Sequence, residues 1–411
     1  MATGADRTPS DSPEPAMNFS FRTASVNELA GALQDARDYT LALFECFSSA
    51  GLDVPGNVPI VPTVNPPLWE LGHIAWFAEW YVLREAQSSD PVSAERTSML
   101  TKGDDWFDAN TVPHRARWTL GLPSGGALKT YCHEVLDRVL DKLSRQRNEA
   151  AALYPYRLAL AYEDMRGEAL SCALQTLGVI MPPRLARHAI PPWAQGEIRF
   201  SGGAIDLGSS RDAEFVFDNE KWAHPCYVPP FSIDSTLVTN TQYGEFIAAG
   251  GYQRPQFWTA AGRAWLMRQE RSAPGDWVRE GTQWRCLRFG KMVPLPGNEP
   301  VRHVSLFEAQ AYCVWAKRRL PSEAEWEFAV SSAHPALRWG DLWEWTCTPF
   351  EPYPDFTPDA YREYSEPCFM THQAVRGASF ATRQRMRSVK YRNFCVPARS
   401  DMFIGFRTCS L

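Results

Sequence analysis

The sequence predicts an α+β protein of two domains, in which a helical bundle is followed by a loop-rich domain of short strands. A chain of 411 residues is too long to fold around one ordinary hydrophobic core. Apolar residues recur at steps of three and four before residue 180, whereas short strand-like segments separated by turns dominate after residue 200. The two halves therefore belong to different structural classes.

The composition is that of an ordinary globular protein, with 45% hydrophobic residues and a net charge of −5. This charge argues against a nucleic-acid or membrane partner, since both require a basic surface. The chain shows no signal-peptide pattern, and its ten cysteines include no CxxC pair. We therefore predict a cytoplasmic protein with free thiols. Its 16 tryptophans beside many arginines favour a pocket for a polar or cationic molecule, with core filling as the alternative.

The first domain is predicted over residues 19–185, after a disordered tail at 1–18 that is rich in Pro, Ser, Asp and Glu. Four amphipathic helices and a long loop between the second and third predict a four-helix bundle. The helices are expected from Val26, from Leu68 after a Pro-Pro pair, and over residues 128–146 and 155–177.

Proline-rich segments between residues 181 and 199 predict a linker. The second domain is predicted over residues 195–411. Its sequence predicts short strands and turns, with two short helices at 240–249 and 306–319.

The second and fourth predicted helices contain the unusual polar residues of the bundle. His73 lies in an otherwise apolar helix, where a lone histidine is more often structural than a ligand. Tyr162 and Arg166 are four residues apart and therefore share a helix face. An iron site needs three ligands on one side and open positions on the other, and Arg166 cannot ligate because it carries only donors.

The chain resembles the ergothioneine-type sulfoxide synthase family, and most closely its selenoneine synthase branch. The resemblance rests on LWELGHIAWFAE (68–79), LALAYEDMRGEAL (158–170), RLPSEAEWE (319–327), VRGASF (375–380) and GFR (405–407). The family joins a DinB-like four-helix bundle to a domain like the formylglycine-generating enzyme, which has a C-type-lectin-like fold. The resemblance implies the same architecture here.

The resemblance also implies an Fe²⁺ cofactor. The family motif on the fourth helix is His-x-x-x-His-x-Glu, and Tyr162 and Arg166 stand where its two histidines belong. The implied ligand set is His73, Tyr162 and Glu168. Three interpretations remain open. In the first, the iron site is lost and Arg166 pairs with Glu163, Asp164 or Glu168, or holds an anionic ligand group. In the second, the metal shifts to His73 with Glu163 or Glu168, and Tyr162 or His133 is a further candidate ligand. In the third, Tyr162 and Arg166 support metal-free chemistry.

Substrate contacts follow from the same resemblance. Asn393 is expected to hold the carboxylate of hercynine (trimethylhistidine), and Phe394 to face its quaternary ammonium. Cys395 follows them, where some members carry an acidic residue. Arg115 and Arg117 match a segment that grips the carboxylates of the sulfur donor, with a solvated basic loop as the alternative.

A proton-donating tyrosine is the last implied element, and Tyr361 is favoured over Tyr364 for it. Formylglycine-generating activity is not expected, since Ser379 stands where the first reactive cysteine belongs and Cys395 has no evident mate.

The implied reaction is oxidative C–S or C–Se bond formation on the imidazole of hercynine, with O₂ and a selenosugar or a cysteine-type thiol as donor. The alternative is a metal-free pseudoenzyme or a hercynine-like betaine-binding protein of the same pathway. A new ligase-like or transferase role of the same scaffold is the third hypothesis.

Overall fold

The computed structural model describes residues 19–86, 88, 90, 93, 94, 96–182, 185, 190 and 193–411. The tail at residues 1–18, predicted to be disordered, lies outside this part, as does most of the predicted linker between 183 and 192. Within the described part, no helix combines the length and the apolar character that a membrane span requires.

The N-terminal bundle confirms the predicted helical architecture. Its helices are α1 (Val26–Ser49), α2 (Pro67–Ala78), the short α3 (Gly103–Phe107), α4 (Gly125–Leu143) and α5 (Ala150–Thr176). A π-helical turn, Glu79–Leu83, continues α2, and a 3-10 turn, His114–Trp118, follows α3. Both α4 and α5 begin earlier than predicted. Ser124 caps α4 by accepting the Ala127 N–H, and α5 includes Pro155 within its early turns.

Helix α2 lies at the centre of the bundle, and all of its residues are buried. A helix that is apolar on every side is stable only when other elements surround it. Helices α1, α4 and α5 do so here. The polar residues of α2, including Glu70 and His73, are therefore buried and require partners inside the protein.

The second domain is built from short antiparallel sheets and helices, as the predicted α+β class requires. Strands β1 (Glu197–Phe200) and β4 (Phe231–Asp234) form one pair, and β2 (Gly203–Leu207) and β3 (His224–Val228) a second. A three-stranded sheet contains β5 (Trp277–Glu280), β6 (Gln283–Arg288) and β7 (Lys291–Pro294). The largest sheet has the order β10 (Arg392–Cys395), β9 (Gln373–Gly377), β8 (Trp343–Pro349) and β11 (Ile404–Gly405), with only β11 parallel to its neighbour.

The helices of this domain are α6 (Asn240–Ala248), α7 (Ala260–Gln269), α8 (Leu306–Ala316) and α9 (Glu323–Ser331). Helices α6 and α8 were predicted, whereas α7, α9 and the three-stranded sheet were not. Buried ion pairs fix α9 against the large sheet. Arg376 of β9 contacts Glu323 at 3.0 Å and Glu327 at 2.5 Å. Such charges require close partners because an unpaired buried charge is costly.

Polar contacts, most of them buried, join the bundle to the second domain along a seam. Asp164 pairs with Arg385, Arg22 with Glu220, and Arg157 with Glu214. The side chain of Gln175 reaches the backbone of Leu287 and Phe289. These contacts hold the two parts in one fixed arrangement. The predicted boundaries at 19–185 and 195–411 stay a prediction.

Candidate functional site

His73 forms the centre of the candidate site. Its Nδ1 lies 2.6 Å from the carbonyl oxygen of Phe107, and its Nε2 lies 2.5 Å from the Tyr162 hydroxyl. A carbonyl only accepts, so Nδ1 carries the proton and Nε2 accepts the hydrogen bond of Tyr162. Burial lowers the pKa of His73 to about 4, and the Arg166 charge acts in the same direction. The imidazole is therefore neutral at pH 7, with its lone pair engaged by Tyr162.

Tyr162 extends from α5 toward α2 and is almost fully buried. Its ring stacks on Phe77 with a centroid distance of 3.6 Å. Burial raises the pKa of Tyr162 to about 12. The side chain is therefore a neutral phenol at pH 7, and it lacks the phenolate charge with which tyrosine binds ferric iron.

Arg166 lies one turn after Tyr162 and forms an ion pair with Glu70 of α2. Its Nε donates to Glu70 Oε2 at 3.0 Å, and its Nη2 donates to Oε1. Asn65 Nδ2 also donates to Oε1, at 2.5 Å. Burial alone would raise the pKa of Glu70, but the Arg166 charge outweighs it and lowers the pKa to about 2.

The prediction that Arg166 pairs with Glu163, Asp164 or Glu168 was wrong. Glu163 pairs instead with Arg37, Asp164 pairs with Arg385, and Glu168 accepts three hydrogen bonds from the second domain. Sequence reasoning passed over Glu70, although it left a signal. Glu70 precedes His73 by three residues in a helix that is otherwise almost entirely apolar, so both side chains lie on one face.

Glu168 is directed away from His73. Its carboxylate accepts hydrogen bonds from Trp343 Nε1 at 2.8 Å, Ser379 Oγ at 2.5 Å and Thr382 Oγ1 at 2.7 Å. Glu168 lies two residues after Arg166, and residues two positions apart lie on nearly opposite sides of a helix. Glu168 thus contributes to the seam, while His73 and Tyr162 are brought together.

The arrangement of these side chains does not fit an Fe²⁺ centre. Such a centre needs three ligand atoms directed at one point. Here the His73 lone pair accepts a hydrogen bond, Arg166 offers only donors, and Glu168 is turned to the second domain. Among the described residues, no cluster of three His, Cys, Asp or Glu side chains is suited to a metal ion.

A cavity of about 560 Å³ opens beside the Glu70–Arg166 pair, between the bundle and the second domain. Its polar wall includes Asn65, Glu70, His114, Arg117, Arg166 and Arg399. The guanidinium of Arg117 lies over the Trp69 ring at 3.9 Å and donates to Asn65 Oδ1 at 2.9 Å. Arg115, in the same turn, is exposed and does not line this cavity. The two predicted arginines therefore have different environments.

Aromatic rings connect the buried site to β10. The Tyr361 ring lies 5.7 Å from that of Tyr162, Tyr364 lies 5.9 Å from Tyr361, and Phe394 lies 5.5 Å from Tyr364. Burial raises the pKa of both Tyr361 and Tyr364 well above its usual range. Of the two predicted catalytic tyrosines, Tyr361 is thus the one whose ring neighbours Tyr162.

The three predicted substrate residues of β10 have separate surroundings. Phe394 stacks on Phe350 at 4.3 Å, and its backbone N–H donates to Asn393 Oδ1 at 2.8 Å. Cys395 is buried, and burial raises the pKa of its thiol to about 12. Successive side chains of a strand point to opposite faces, so Asn393 and Phe394 leave β10 on different sides. Their roles stay a prediction.

Comparison with known proteins places this site in a family. The family model described as a sulfatase-modifying factor enzyme 1-like domain matches residues 187–339. The chain is 32% identical to a hercynine oxygenase of Mycolicibacterium smegmatis, over 92% of this chain and 97% of that protein. The chain belongs to the hercynine oxygenase family. A hercynine oxygenase of Mycobacterium tuberculosis is 31% identical over 93% of this chain and 98% of its own length.

A formylglycine-generating enzyme of Streptomyces coelicolor is 34% identical over 37% of this chain and 53% of that enzyme. This similarity is confined to part of the chain, whereas the hercynine oxygenases match nearly all of it. Membership of the hercynine oxygenase family confirms the family predicted from the sequence motifs. The resemblance implies histidines at positions 162 and 166, where this chain has tyrosine and arginine.

Proposed function

We propose that this hercynine oxygenase family member binds a hercynine-like betaine in the cavity between its two parts. The observation that supports the proposal is the positive wall of the 560 Å³ cavity at the seam. Its volume lies within the usual range of small-molecule sites, and interdomain clefts are common locations for them. A trimethylated amino acid presents one carboxylate, which suits a guanidinium.

Arg117 is the proposed carboxylate contact. Its N–H groups donate to the side-chain oxygen of Asn65 and to the carbonyl oxygens of Ala109 and Val112. No carboxylate accepts from it among the described residues, and Glu70 is already paired with Arg166. Burial and the Arg166 charge both lower the pKa of Arg117. A ligand carboxylate would offset this unfavourable positive charge. Asn393 and Phe394 do not line this cavity, so the betaine contacts that the resemblance implies for them stay a separate prediction.

Calorimetric titration of the purified chain with hercynine tests this proposal. Binding is expected without added metal, and Arg117→Ala should weaken it about tenfold or more, since a charge-assisted hydrogen bond is lost. Arg115→Ala is the matched control, because Arg115 belongs to the same turn but lies outside the cavity wall. Arg117→Lys keeps the positive charge but removes the planar guanidinium, so it separates the contribution of charge from that of the paired hydrogen bonds. Absence of hercynine binding by the wild-type chain would contradict the proposal.

Oxidative bond formation is the second candidate, supported by relatives that match nearly the whole chain and are hercynine oxygenases. It would join sulfur or selenium to the imidazole of hercynine, as an ergothioneine-type or selenoneine synthase. This reaction would require Fe²⁺ and O₂, whereas the arrangement of His73, Tyr162 and Arg166 does not fit Fe²⁺. Tyr361 would be the proton donor, with Tyr364 as the alternative. The test is O₂ consumption with Fe²⁺, hercynine and either a cysteine-type thiol or a selenosugar. Turnover abolished by Tyr361→Phe would favour this candidate over binding alone.

A further inference from the structure

We infer that the Glu70–Arg166 ion pair is an internal replacement for a divalent cation, which keeps metal out of this site. The inference concerns the metal question alone and does not depend on which organic ligand fills the cavity. It rests on how α2 and α5 face each other. Glu70 and His73 lie on one face of α2, and Tyr162 and Arg166 on one face of α5.

These four side chains form two matched pairs. Tyr162 donates to His73, and Arg166 donates twice to Glu70. The second imidazole nitrogen is bound to the Phe107 carbonyl, and Asn65 supplies a further donor to Glu70. The single acceptor nitrogen of His73 and three of the roughly four acceptor positions of the Glu70 carboxylate are therefore occupied. A metal ion bound by both His73 and Glu70 would have to displace Tyr162 from the imidazole and compete with Arg166 for the carboxylate.

Charge leads to the same conclusion. The buried carboxylate of Glu70 is the negative group of this face, and the guanidinium of Arg166 balances it at contact distance. Arg117 adds a second positive charge to the same cavity wall. An incoming divalent cation would be repelled by both guanidiniums, and the only balancing carboxylate is already engaged in the described contacts.

Glu70 depends on Arg166 for the neutralisation of its charge. Removal of Arg166 alone leaves Glu70 as a buried carboxylate without a cation, and such a group takes up a proton unless further metal ligands are present. Replacing Arg166 and Tyr162 together by histidine removes the internal cation and adds two imidazoles facing His73. The double variant should therefore gain the metal binding that the wild-type chain lacks.

The decisive measurement is metal content. Full-length wild type, Tyr162→His/Arg166→His and Arg166→Gln are reconstituted with Fe²⁺ without oxygen, desalted and measured by elemental analysis. We expect iron near background in wild type and Arg166→Gln, and about one equivalent in the double variant, as three imidazoles support one site. Adding His73→Ala to the double variant should remove that iron. Arg166→Gln is the matched control, because it removes the charge without adding a ligand.

Two results would overturn the inference. One is about one equivalent of iron in wild type that is lost in His73→Ala. The other is a folded double variant that still takes up no iron. If the double variant does not fold, Glu70→Gln, Arg166→Gln and their combination are compared by urea unfolding. The inference requires the combined variant to be more stable than Arg166→Gln alone, and additive losses would reject it. Hercynine calorimetry on the same wild-type sample reports separately on the proposed ligand.

Discussion

Asp164 of α5 and Arg385 of the second domain form a two-point ion pair across the seam, with both N–O distances at 2.7 Å. Both side chains are almost fully buried. Arg385→Met should lower the free energy of unfolding by about 3–5 kcal/mol, because it leaves Asp164 charged and without its partner. Urea unfolding followed by circular dichroism measures the loss.

The control for this prediction is Arg145→Met. Arg145 pairs with Asp141 on the exposed surface of α4, where both side chains are mostly solvated. Its replacement should change the free energy of unfolding by no more than about 0.5 kcal/mol. Equal effects of the two substitutions would mean that the seam pair does not join the two parts of the molecule.

Glu168 provides the second prediction. Replacement by alanine leaves Trp343 Nε1 and the hydroxyls of Ser379 and Thr382 without their acceptor. Each buried donor left unsatisfied costs about 1–3 kcal/mol, so Glu168→Ala should destabilise the protein by more than about 3 kcal/mol. Ser379→Ala, which removes one donor and leaves the carboxylate two others, should cost about 1 kcal/mol. Comparable losses in the two variants would exclude a three-donor role for Glu168.

The hydroxyl of Tyr162 provides the third prediction. Tyr162→Phe retains the ring that stacks on Phe77 but leaves His73 Nε2 without a donor. We expect a loss of about 1–3 kcal/mol in unfolding free energy and a changed ¹⁵N shift of the His73 imidazole. Tyr227→Phe, whose side chain is 71% exposed, is the control and should leave both unchanged. An unaltered imidazole spectrum in Tyr162→Phe would disprove the hydrogen bond.

Asp218 provides a prediction on pH. Its Oδ1 accepts a hydrogen bond from Ser365 at 2.5 Å, its Oδ2 has no hydrogen-bond partner in the described part of the chain, and burial raises its pKa to about 7. The folded protein therefore binds this proton more tightly than the unfolded chain does. Ionisation of Asp218 therefore lowers the free energy of unfolding as pH rises from about 4 through about 7, by up to about 1.4 kcal/mol per pH unit.

Asp218→Asn removes this titration. The variant should show a flatter dependence of unfolding free energy on pH, and it should exceed wild type in stability at about pH 8. Asp141→Asn, at an exposed position of α4, serves as the control and should follow the wild-type curve. Parallel curves for Asp218→Asn and wild type would contradict the raised pKa.

Local signals in the sequence were sufficient for the bundle and for parts of the second domain. Helix α1 begins where Ser25 and Glu28 form a capping box, and α2 begins directly after Pro66. Helix α9 carries the same capping signal in Ser322 and Glu325, which the sequence analysis passed over. The sheet of β5–β7 was missed although glycines 281 and 290 mark both of its turns.

The partners of the site residues could not be predicted, because they are distant in sequence. Arg166 meets Glu70 across 96 positions, and Glu168 meets Trp343 across 175. Acidic residues close to Arg166 in sequence lie on other faces of α5, where different arginines neutralise them. The position of His73 opposite Tyr162 follows from the packing of α2 against α5, which a single sequence does not specify.

The buried contacts of the seam also determine how a molecule can reach the cavity. Separating the two walls like a hinge would break the Asp164–Arg385, Arg22–Glu220 and Arg157–Glu214 pairs together, along with the hydrogen bonds of Glu168. We therefore expect a solute to enter the cavity without a large separation of its two walls. Bulky derivatives of an otherwise suitable molecule are then expected to enter more slowly than the molecule itself.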